Sequence, residues 1–206
     1  MAYSKIGKWD PGFDIDRQGA ESGFTLIEVM IVIVIVAILA AVAVPGFRDL
    51  IANNRMVTEL YVLRATLNNA RSEALARRAP VVVCPTTDDV SCADSDDWSS
   101  GYIAFVDTDD DSAADPNNPD EELIQLETEL RALDMAFDNG NRRVRFNPQG
   151  TVLGFEGTFT FCDARGPAHA RALIVNPVGA VRAATDTDSP EDSIVNDAGS
   201  SNVTCD

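Results

Sequence analysis

The sequence has few of the groups from which active sites are built. It contains one histidine, His169, and its four cysteines include no Cys-x-x-Cys pair. Neither a Gly-x-Ser-x-Gly motif nor a phosphate-binding glycine loop is present. These absences argue against zinc binding, nucleophilic catalysis and nucleotide hydrolysis. His169 stands among glycine, proline and alanine, which predicts a surface turn. We therefore expect a non-enzyme without a cofactor, a catalytic metal or a small-molecule substrate.

Basic residues are also scarce. The 206 residues include 16 lysines and arginines against 33 aspartates and glutamates, which gives a formal net charge of −17. A general affinity for nucleic acid is disfavoured, because phosphate binding begins with neutralisation of the polyanion by cationic side chains. With 45% hydrophobic residues the chain can bury a core of its own. The composition indicates one domain, or one domain with an appended segment.

A single long apolar run lies near the N-terminus. Val29–Val44 is apolar without interruption for 16 positions, and counting from Phe24 extends the run to 21 positions. As a helix that length spans about 30 Å, the thickness of the hydrocarbon core of a bilayer. A buried core helix is disfavoured because the run has no polar face. Two interpretations compete: a signal peptide cleaved after Ala41-Val42-Ala43, or cleavage before the run, which the mature chain then keeps.

The residues at the start of the run favour the second interpretation. Gly23-Phe24-Thr25-Leu26-Ile27-Glu28, followed by the run and Pro45, resembles the N-terminus of type IV prepilins and type II secretion pseudopilins. The resemblance implies that a prepilin peptidase cuts after Gly23 and removes residues 1–23 as a leader. It also implies that Phe24 becomes the methylated N-terminus and that Glu28 is the fifth mature residue. The leader departs from the family because it is long and partly acidic.

Glu28 places a carboxylate inside the predicted membrane span. A charge at that depth costs about 3 kcal/mol on insertion scales and should be relieved by a cation or by protonation. In an assembling filament the partner would be the α-amino group of Phe24 on a neighbouring subunit, which cleavage creates. The alternative is that the Glu28 side chain reaches up to the membrane interface.

After the apolar run, the spacing of the apolar residues is first that of a helix and then that of strands. Beyond Pro45 an amphipathic helix is predicted to end near Arg78, because Pro80 disfavours helical geometry in the residue before it. After Pro80 the period becomes that of strands, and Glu129–Phe137 is ambiguous between helix and strand. The predicted apolar helix positions are Leu50, Val57, Leu60, Leu67, Ala70 and Ala74. The predicted strands are Val81–Val83, Tyr102–Val106, Leu123–Leu126, Val144–Phe146, Thr158–Phe161, Ala172–Val175 and Val178–Arg182.

These patterns, with the pilin resemblance, predict an α+β, pilin-like fold. A long N-terminal helix, with a transmembrane half and an amphipathic half, would pack on an antiparallel β-sheet domain. The expected segments are the leader at 1–23, the transmembrane helix at 24–46, its amphipathic continuation at 47–79, the β domain at 80–185, and an acidic tail at 186–206 tied by Cys205. Within the tail, Asp186–Ser201 is expected to be loose.

The second half of the chain carries short motifs in an informative order. They are Asn69-Ala70-Arg71-Ser72-Glu73-Ala74, Pro80-Val81-Val82-Val83-Cys84-Pro85, Cys92, Trp98 to Asp107, Phe161-Cys162 and Val178-Gly179-Ala180-Val181-Arg182. Their order resembles the GspH/FimT group of minor pilins and pseudopilins, and the resemblance runs from Gly23 to about Arg182.

The GspH/FimT resemblance implies a helix packed on a pair of sheets and a place at or near the tip of a type IV pilus or a type II secretion pseudopilus. The chain would begin as a single-pass protein of the cell inner membrane with its globular domain in the periplasm. Its partners would be other pilins, the prepilin peptidase and the inner-membrane assembly platform.

The four cysteines allow three complete pairings. We prefer Cys84 with Cys92, which closes a small loop, and Cys162 with Cys205, which fastens the tail to a strand. The other pairings would require both ends to reach across the domain. An envelope location makes disulfides plausible, whereas a cytosolic protein would keep these thiols reduced.

An acidic loop at Asp107–Asp111 has the alternating carboxylates with which a calcium loop begins. The EF-hand pattern requires glycine next and glutamate at its twelfth position, where this sequence has Ser112 and Asn118. We expect a solvated loop, with calcium binding as the alternative.

DNA capture is the competing function, because some members of the FimT branch bind DNA through a Gly-Arg-x-Arg segment near the C-terminus. This sequence has Gly179-Ala180-Val181-Arg182, so one of the two arginines is missing. A basic patch would have to come from Arg165, Arg171 and Arg182, or from the trio Arg142, Arg143 and Arg145, against an unfavourable overall charge.

Overall fold

The computed structural model describes residues 23–109, 111, 118, 120–128, 130 and 133–205. The predicted leader up to residue 22, and Asp110 and Ser112 of the acidic loop, lie outside the described residues. The chain divides into two compact units with the boundary between Gly46 and Phe47. One helix and eight strands are described: α1 (Leu26–Arg77), β1 (Val81–Pro85), β2 (Gly101–Val106), β3 (Leu123–Thr128), β4 (Asp134–Phe137), β5 (Val144–Phe146), β6 (Gly157–Cys162), β7 (Arg171–Val175) and β8 (Val181–Ala183).

The first part of α1 is the apolar run. Thr25 caps the helix, since its hydroxyl oxygen lies 3.3 Å from the backbone N–H nitrogen of Glu28 and can accept its proton. By length and composition this helix can cross a membrane, and none of its most apolar stretch is buried in the structure.

The later part of α1 packs through one face. The buried positions recur at steps of four and three, which is the spacing of a helix face. The prediction of Leu50 as a core position is wrong, because Leu50 is exposed and packing begins only at Met56. Val57 is half-buried, and the fully buried Leu63 was missed. The helix ends close to the predicted point, with Arg78 in the left-handed region at φ 56°. The buried residues of this face are Met56, Leu60, Leu63, Thr66, Leu67, Ala70 and Ala74.

Two antiparallel four-stranded sheets form the rest of the second unit. Their strand orders are β3-β2-β1-β5 and β4-β6-β7-β8. The predicted α+β fold and sheet pair are therefore confirmed. The ambiguous segment Glu129–Phe137 contributes strand β4 from Asp134 onward, which raises the number of strands from seven to eight.

The predicted strand Val178–Arg182 needs a correction, because β8 begins only at Val181. Asn176, Gly179 and Ala180 form a turn in which the Gly179 N–H donates to the Asn176 carbonyl at 2.8 Å. The Asn176 side-chain oxygen also accepts from the Ala180 N–H at 2.8 Å. Val178 therefore lies in a turn although its side chain is apolar.

The core lies among the buried face of α1 and the inner faces of both sheets. Its centre is aromatic: the rings of Phe137 and Phe159 stack with centroids 4.2 Å apart, and Trp98 meets Phe159 edge-on at 4.7 Å. Tyr102 joins this cluster, and burial raises the pKa of its phenol. The connection between β1 and β2 therefore supplies a core residue, Trp98, as well as a disulfide.

The acidic tail is not loose, contrary to the prediction. Asn196 is buried, and its side-chain oxygen accepts hydrogen bonds from the backbone and hydroxyl of Thr187 at 2.6 and 2.9 Å. Val203 packs against Cys162 and Ala172 on the outer face of the second sheet. A few apolar residues and a network among the polar ones suffice to order a segment of low hydrophobicity.

Candidate functional site: the N-terminal segment and the arginine groups

The segment with the predicted cleavage site is open to solvent. Gly23 and Phe24 precede α1, and Phe24 exposes 81% of its surface. Glu28 lies in the first turn of α1, where the unpaired amide groups of the helix favour a negative charge. Gly23 and Phe24 are therefore accessible, and the Glu28 carboxylate lies about one helical turn after them.

The described residues leave the apolar part of α1 uncovered. Every residue from Phe24 to Val44 is exposed, and Glu28 is the one charged residue among them. Burial of apolar surface yields about 25 cal/mol per Å², so a stretch of this size requires lipid or other helices around it. Among the described residues nothing covers this stretch, so lipid or neighbouring helices suit it.

The four cysteines form two disulfides. The structure pairs Cys84 with Cys92, with Cα atoms 5.4 Å apart, and Cys162 with Cys205 at 5.8 Å. This is the pairing preferred from the sequence. The first closes the loop after β1, and the second joins the end of β6 to the tail.

The three arginines proposed for DNA contact do not form one patch. Arg165 makes a bidentate pair with Asp163, its Nη2 2.7 Å from the carboxylate, and lowers the pKa of that group by hydrogen bonding. Arg171 stands opposite Phe161, and Arg182 stands opposite Ile174. Phe161 belongs to the core, and side chains of directly opposed residues share a face. Since successive residues of a strand alternate, Arg171 and Arg182 are on opposite faces of the sheet.

The second group of arginines, Arg142, Arg143 and Arg145, interacts with other residues of the same domain. Arg142 binds Asp94 at 2.6 Å and Asp96 at 2.8 Å. The Arg143 guanidinium lies 5.8 Å from the centre of the Phe155 ring. Arg145 follows on β5, the edge strand of the first sheet. The positive charge of Arg142 is therefore offset by neighbouring carboxylates.

Arg71 has a structural role that the sequence did not reveal. Its Nε donates to the Gly150 carbonyl and its Nη2 to the Val178 carbonyl, each at 2.9 Å. Gly179, at φ 75°, approaches so closely that an added Cβ would stand 2.2 Å from the Gly150 oxygen. The glycine that aligned with the DNA-binding motif is thus required by the turn itself. The sequence held one sign of this role: Arg71 follows Ala70 and precedes Ala74, both of which are buried on the packed face of α1.

The acidic loop brings three carboxylates together. Asp107, Asp109 and Glu121 each place an oxygen within 4.8 Å of the others, and Asp107 is fully buried. Glu121 also accepts from the Thr108 N–H at 3.1 Å. Asp186, Asp188 and Asp192 form a second such group in the tail. Oxygen ligands of this kind suit a hard cation such as calcium, and calcium binding stays the alternative to the expected solvated loop. His169, as expected, is exposed in a short turn.

Two family models match parts of this chain. Residues 62–179 match the family model described as type II transport protein GspH, and residues 19–44 match the prokaryotic N-terminal methylation motif. The chain belongs to the GspH/FimT family of minor pilins and pseudopilins. This family is a structural one. The apolar helix of a GspH/FimT protein anchors it in a membrane, and the second unit is its soluble domain.

The GspH/FimT chain also resembles individual pilins. It is 47% identical over 53 residues to the fimbrial protein EcpC of Eikenella corrodens, covering 26% of this chain and 34% of that one. It is 49% identical over 53 residues to a fimbrial protein of Moraxella nonliquefaciens, with the same coverage. The match thus spans about a third of the length of these curated relatives.

A solved structure shares the fold. The type IV minor pilin FimU of Pseudomonas aeruginosa superposes with a TM-score of 0.51 at 21% identity, covering 66% of this chain and 92% of FimU. At that identity the likeness concerns the fold alone. It agrees with the helix and antiparallel sheets described above.

Proposed function

We propose that this protein is a minor pilin or pseudopilin, a structural subunit at or near the tip of a type IV pilus or type II secretion pseudopilus. In this role it supports filament assembly for pilus biogenesis or protein secretion. The observation that carries the proposal is the exposed apolar stretch of α1, which begins at Leu26, three residues after Gly23, and contains Glu28. Such a helix first needs lipid and then, once extracted, neighbouring helices.

The route begins in the inner membrane, with the soluble domain in the periplasm. A prepilin peptidase cuts after Gly23 and methylates the new N-terminus at Phe24. The assembly platform then moves the subunit into the filament. The two disulfides support this location, since an oxidising compartment keeps them formed.

Glu28 supplies register in this proposal. Inside lipid or a helix bundle its charge is costly unless a cation meets it. The α-amino group of Phe24 on a neighbouring subunit offers that cation only when the two helices are correctly stepped. The carboxylate thereby stabilises one axial arrangement of neighbouring helices relative to the others.

The N-terminus of the mature chain tests the maturation step. Mass spectrometry of the protein from filament or membrane fractions should give an N-methylated peptide that begins at Phe24. A mature chain that begins at Val44 would contradict the proposal, because the apolar helix would then have been a signal peptide.

Replacement of Glu28 tests the assembly step. Glu28→Gln and Glu28→Val should remain in the membrane but be lost from sheared filaments. Asp49→Asn, which also removes one carboxylate from α1, is the matched control and should assemble as the wild type does. Unchanged incorporation of both Glu28 variants would remove the electrostatic argument.

DNA capture remains the rival function and has a direct test. A gel shift at low salt, with the full chain in detergent, should show no retardation of duplex DNA. Retardation that weakens in Arg171→Ala or Arg182→Ala would favour DNA uptake.

A further inference from the structure

The connection from β4 to β5 contains the one Asn-Gly pair of the sequence, Asn139-Gly140. In this connection the chain passes from the second sheet to the first. Asparagine followed by glycine suits a tight turn. It also exposes the asparagine amide to attack by the next backbone nitrogen, because glycine has no Cβ that would obstruct the approach. Asn139 is therefore a candidate for covalent modification.

The modification is a deamidation that needs only the chain and water. The Gly140 nitrogen gives up its proton to the solvent and bonds to Cγ of Asn139. The bond from Cγ to Nδ2 then breaks, and Nδ2 takes up a proton and leaves as ammonia, so that a five-membered succinimide remains. Water opens this ring at Cγ to give aspartate, or at the backbone carbonyl to give isoaspartate. Loss of ammonia and gain of water raise the mass by one dalton.

The folded turn fixes the amide that would react. Oδ1 of Asn139 accepts the Asn141 N–H at 2.7 Å, and Nδ2 donates to the Glu156 carbonyl. The Arg142 N–H closes the turn on the Asn139 carbonyl at 2.8 Å. Closure of the succinimide ring would draw Cγ to bonding distance from the Gly140 nitrogen and would pull Nδ2 away from Glu156. The side chain therefore has to leave its place before it can react.

The nucleophile, by contrast, is accessible. Gly140 is exposed, and no described atom lies within 4 Å of a Cβ built on it. The end of the turn is held by Arg142, whose guanidinium binds Asp94 at 2.6 Å and Asp96 at 2.8 Å. Solvent can therefore take the proton from the Gly140 nitrogen, while bonds on either side of this residue keep the turn closed.

We propose that Asn139 is a site of spontaneous deamidation that the closed turn holds back, so that modification follows opening of the turn. The inference does not depend on the role as a filament subunit. The rate in the folded chain is then the rate in the unfolded chain multiplied by the fraction of molecules in which the turn is open. Two hydrogen bonds of ordinary net strength make this fraction about one tenth or less.

The product cannot restore the closed turn. A carboxylate accepts hydrogen bonds but has no hydrogen to donate, so position 139 would turn an acceptor toward the Glu156 carbonyl. It would also add a negative charge beside Asp138 in a chain whose net charge is already −17. Modification therefore loosens, in one direction, the link between this turn and the start of β6, which follows Glu156.

The rate of deamidation in the two states of the chain tests the proposal. The full chain in detergent is incubated at mildly alkaline pH, folded or in guanidinium chloride with its disulfides intact. Mass spectrometry follows the peptide that contains Asn139. The reaction should be at least about tenfold slower in the folded chain. Gly140→Ala, whose methyl group obstructs the attack but meets no described atom, is the control and should suppress the reaction in guanidinium chloride.

A second pair of variants tests whether opening of this turn controls the reaction. Arg142→Gln removes the ion pairs at the end of the turn and should raise the folded rate about threefold, with no change in guanidinium chloride. Arg165→Gln breaks the ion pair with Asp163, which lies outside the turn. It is the matched control and should leave the folded rate unchanged.

Each contrary result overturns a named part of the proposal. No reaction in guanidinium chloride would show that Asn139 is not a reactive site. A folded rate equal to the unfolded rate, or above it, would show that the turn does not hold the reaction back. An unchanged rate in Arg142→Gln, or an equal rise in Arg165→Gln, would show that opening of this turn is not the controlling step.

The effect of the product is tested by substitution. Asn139→Asp should lower the melting temperature by about 3 °C, since it removes the bond to Glu156. Gln149→Glu adds the same charge at an exposed position and should leave the melting temperature unchanged. Equal melting temperatures of Asn139→Asp and the wild type would contradict the loosening of the turn.

Discussion

At the scale of single residues, the partners of the arginines decide what each can do. Arg165 and Arg142 bind carboxylates of their own domain, whereas Arg71 binds two carbonyls and keeps its charge uncompensated by carboxylates of the described residues. The sequence predicted candidates from residue type alone and could not separate these cases. Partner choice depends on which loops meet in the fold, and the contacts of Arg71 span 79 and 107 residues of chain.

The pair of Asp163 and Arg165 predicts a pH dependence. Hydrogen bonding from Arg165 holds the pKa of Asp163 below its ordinary value. The stabilisation is therefore complete above the unfolded carboxyl pKa of about 4 and is lost as the pH falls through the folded value. Asp163→Asn should lower the free energy of unfolding by about 1–3 kcal/mol at pH 7, and this difference should shrink below pH 4. Urea denaturation across this pH range measures it.

The control for that substitution is Asp134→Asn, at an exposed position of β4. It should change the free energy of unfolding by no more than about 0.5 kcal/mol. A deficit in Asp163→Asn that is equally large at pH 3 and pH 7 would contradict the role of the carboxylate charge.

Gly179 predicts a second effect at a single residue. Its φ of 75° is unfavourable for residues with a side chain, and an added Cβ would collide with the Gly150 oxygen. Gly179→Ala should destabilise the fold by about 1–3 kcal/mol, measured by thermal or urea denaturation. Gly140→Ala is the control, because no atom lies within 4 Å of its added Cβ. Similar effects of both substitutions would contradict the close approach of the two turns.

At the scale of elements, local periodicity predicted most of the fold. Strands β1, β2, β5, β6 and β7 lie where β-branched and aromatic residues cluster, because such residues suit a buried pleated sheet. The prediction failed where tertiary contacts outweigh local pattern. Val178 lies in a turn that Asn176 and Gly179 close, and the tail is ordered by side-chain bonds that no period reveals.

Helix α1 shows the same limit and gives a further prediction. The apolar pattern indicated Leu50, but the packed face begins at Met56 and includes the fully buried Leu63. Leu63→Ala should lower the free energy of unfolding by about 2–5 kcal/mol, since it removes a core side chain and leaves a cavity. Leu50→Ala, at an exposed position, should stay within about 0.5 kcal/mol of wild type. A larger loss in Leu50→Ala than in Leu63→Ala would restore the face predicted from the sequence.

At the scale of the whole molecule, the two units differ in the polarity of their exposed residues. The described stretch from Phe24 to Val44 is apolar and exposed, and the second unit carries 28 acidic against 13 basic residues between Phe47 and Asp206. The sequence predicted this division from composition alone, because hydrophobic length and net charge need no tertiary information. The contacts of Arg71 with the Gly150 and Val178 carbonyls were not predicted, because they arise only when distant turns come together.

The acidity of the second unit predicts that salt stabilises the protein. Like charges repel one another in the folded state, and raising the salt from 0.1 M to 1 M shortens the screening length from about 10 Å to about 3 Å. The melting temperature of the chain in detergent should therefore rise with sodium chloride, by about 3 °C for each kcal/mol of repulsion removed. Calcium chloride at matched ionic strength separates screening from binding. If screening alone acts, the two salts shift the melting temperature equally. A larger shift at about 1 mM calcium that is lost in Asp109→Asn would instead indicate a specific calcium site at Asp107, Asp109 and Glu121.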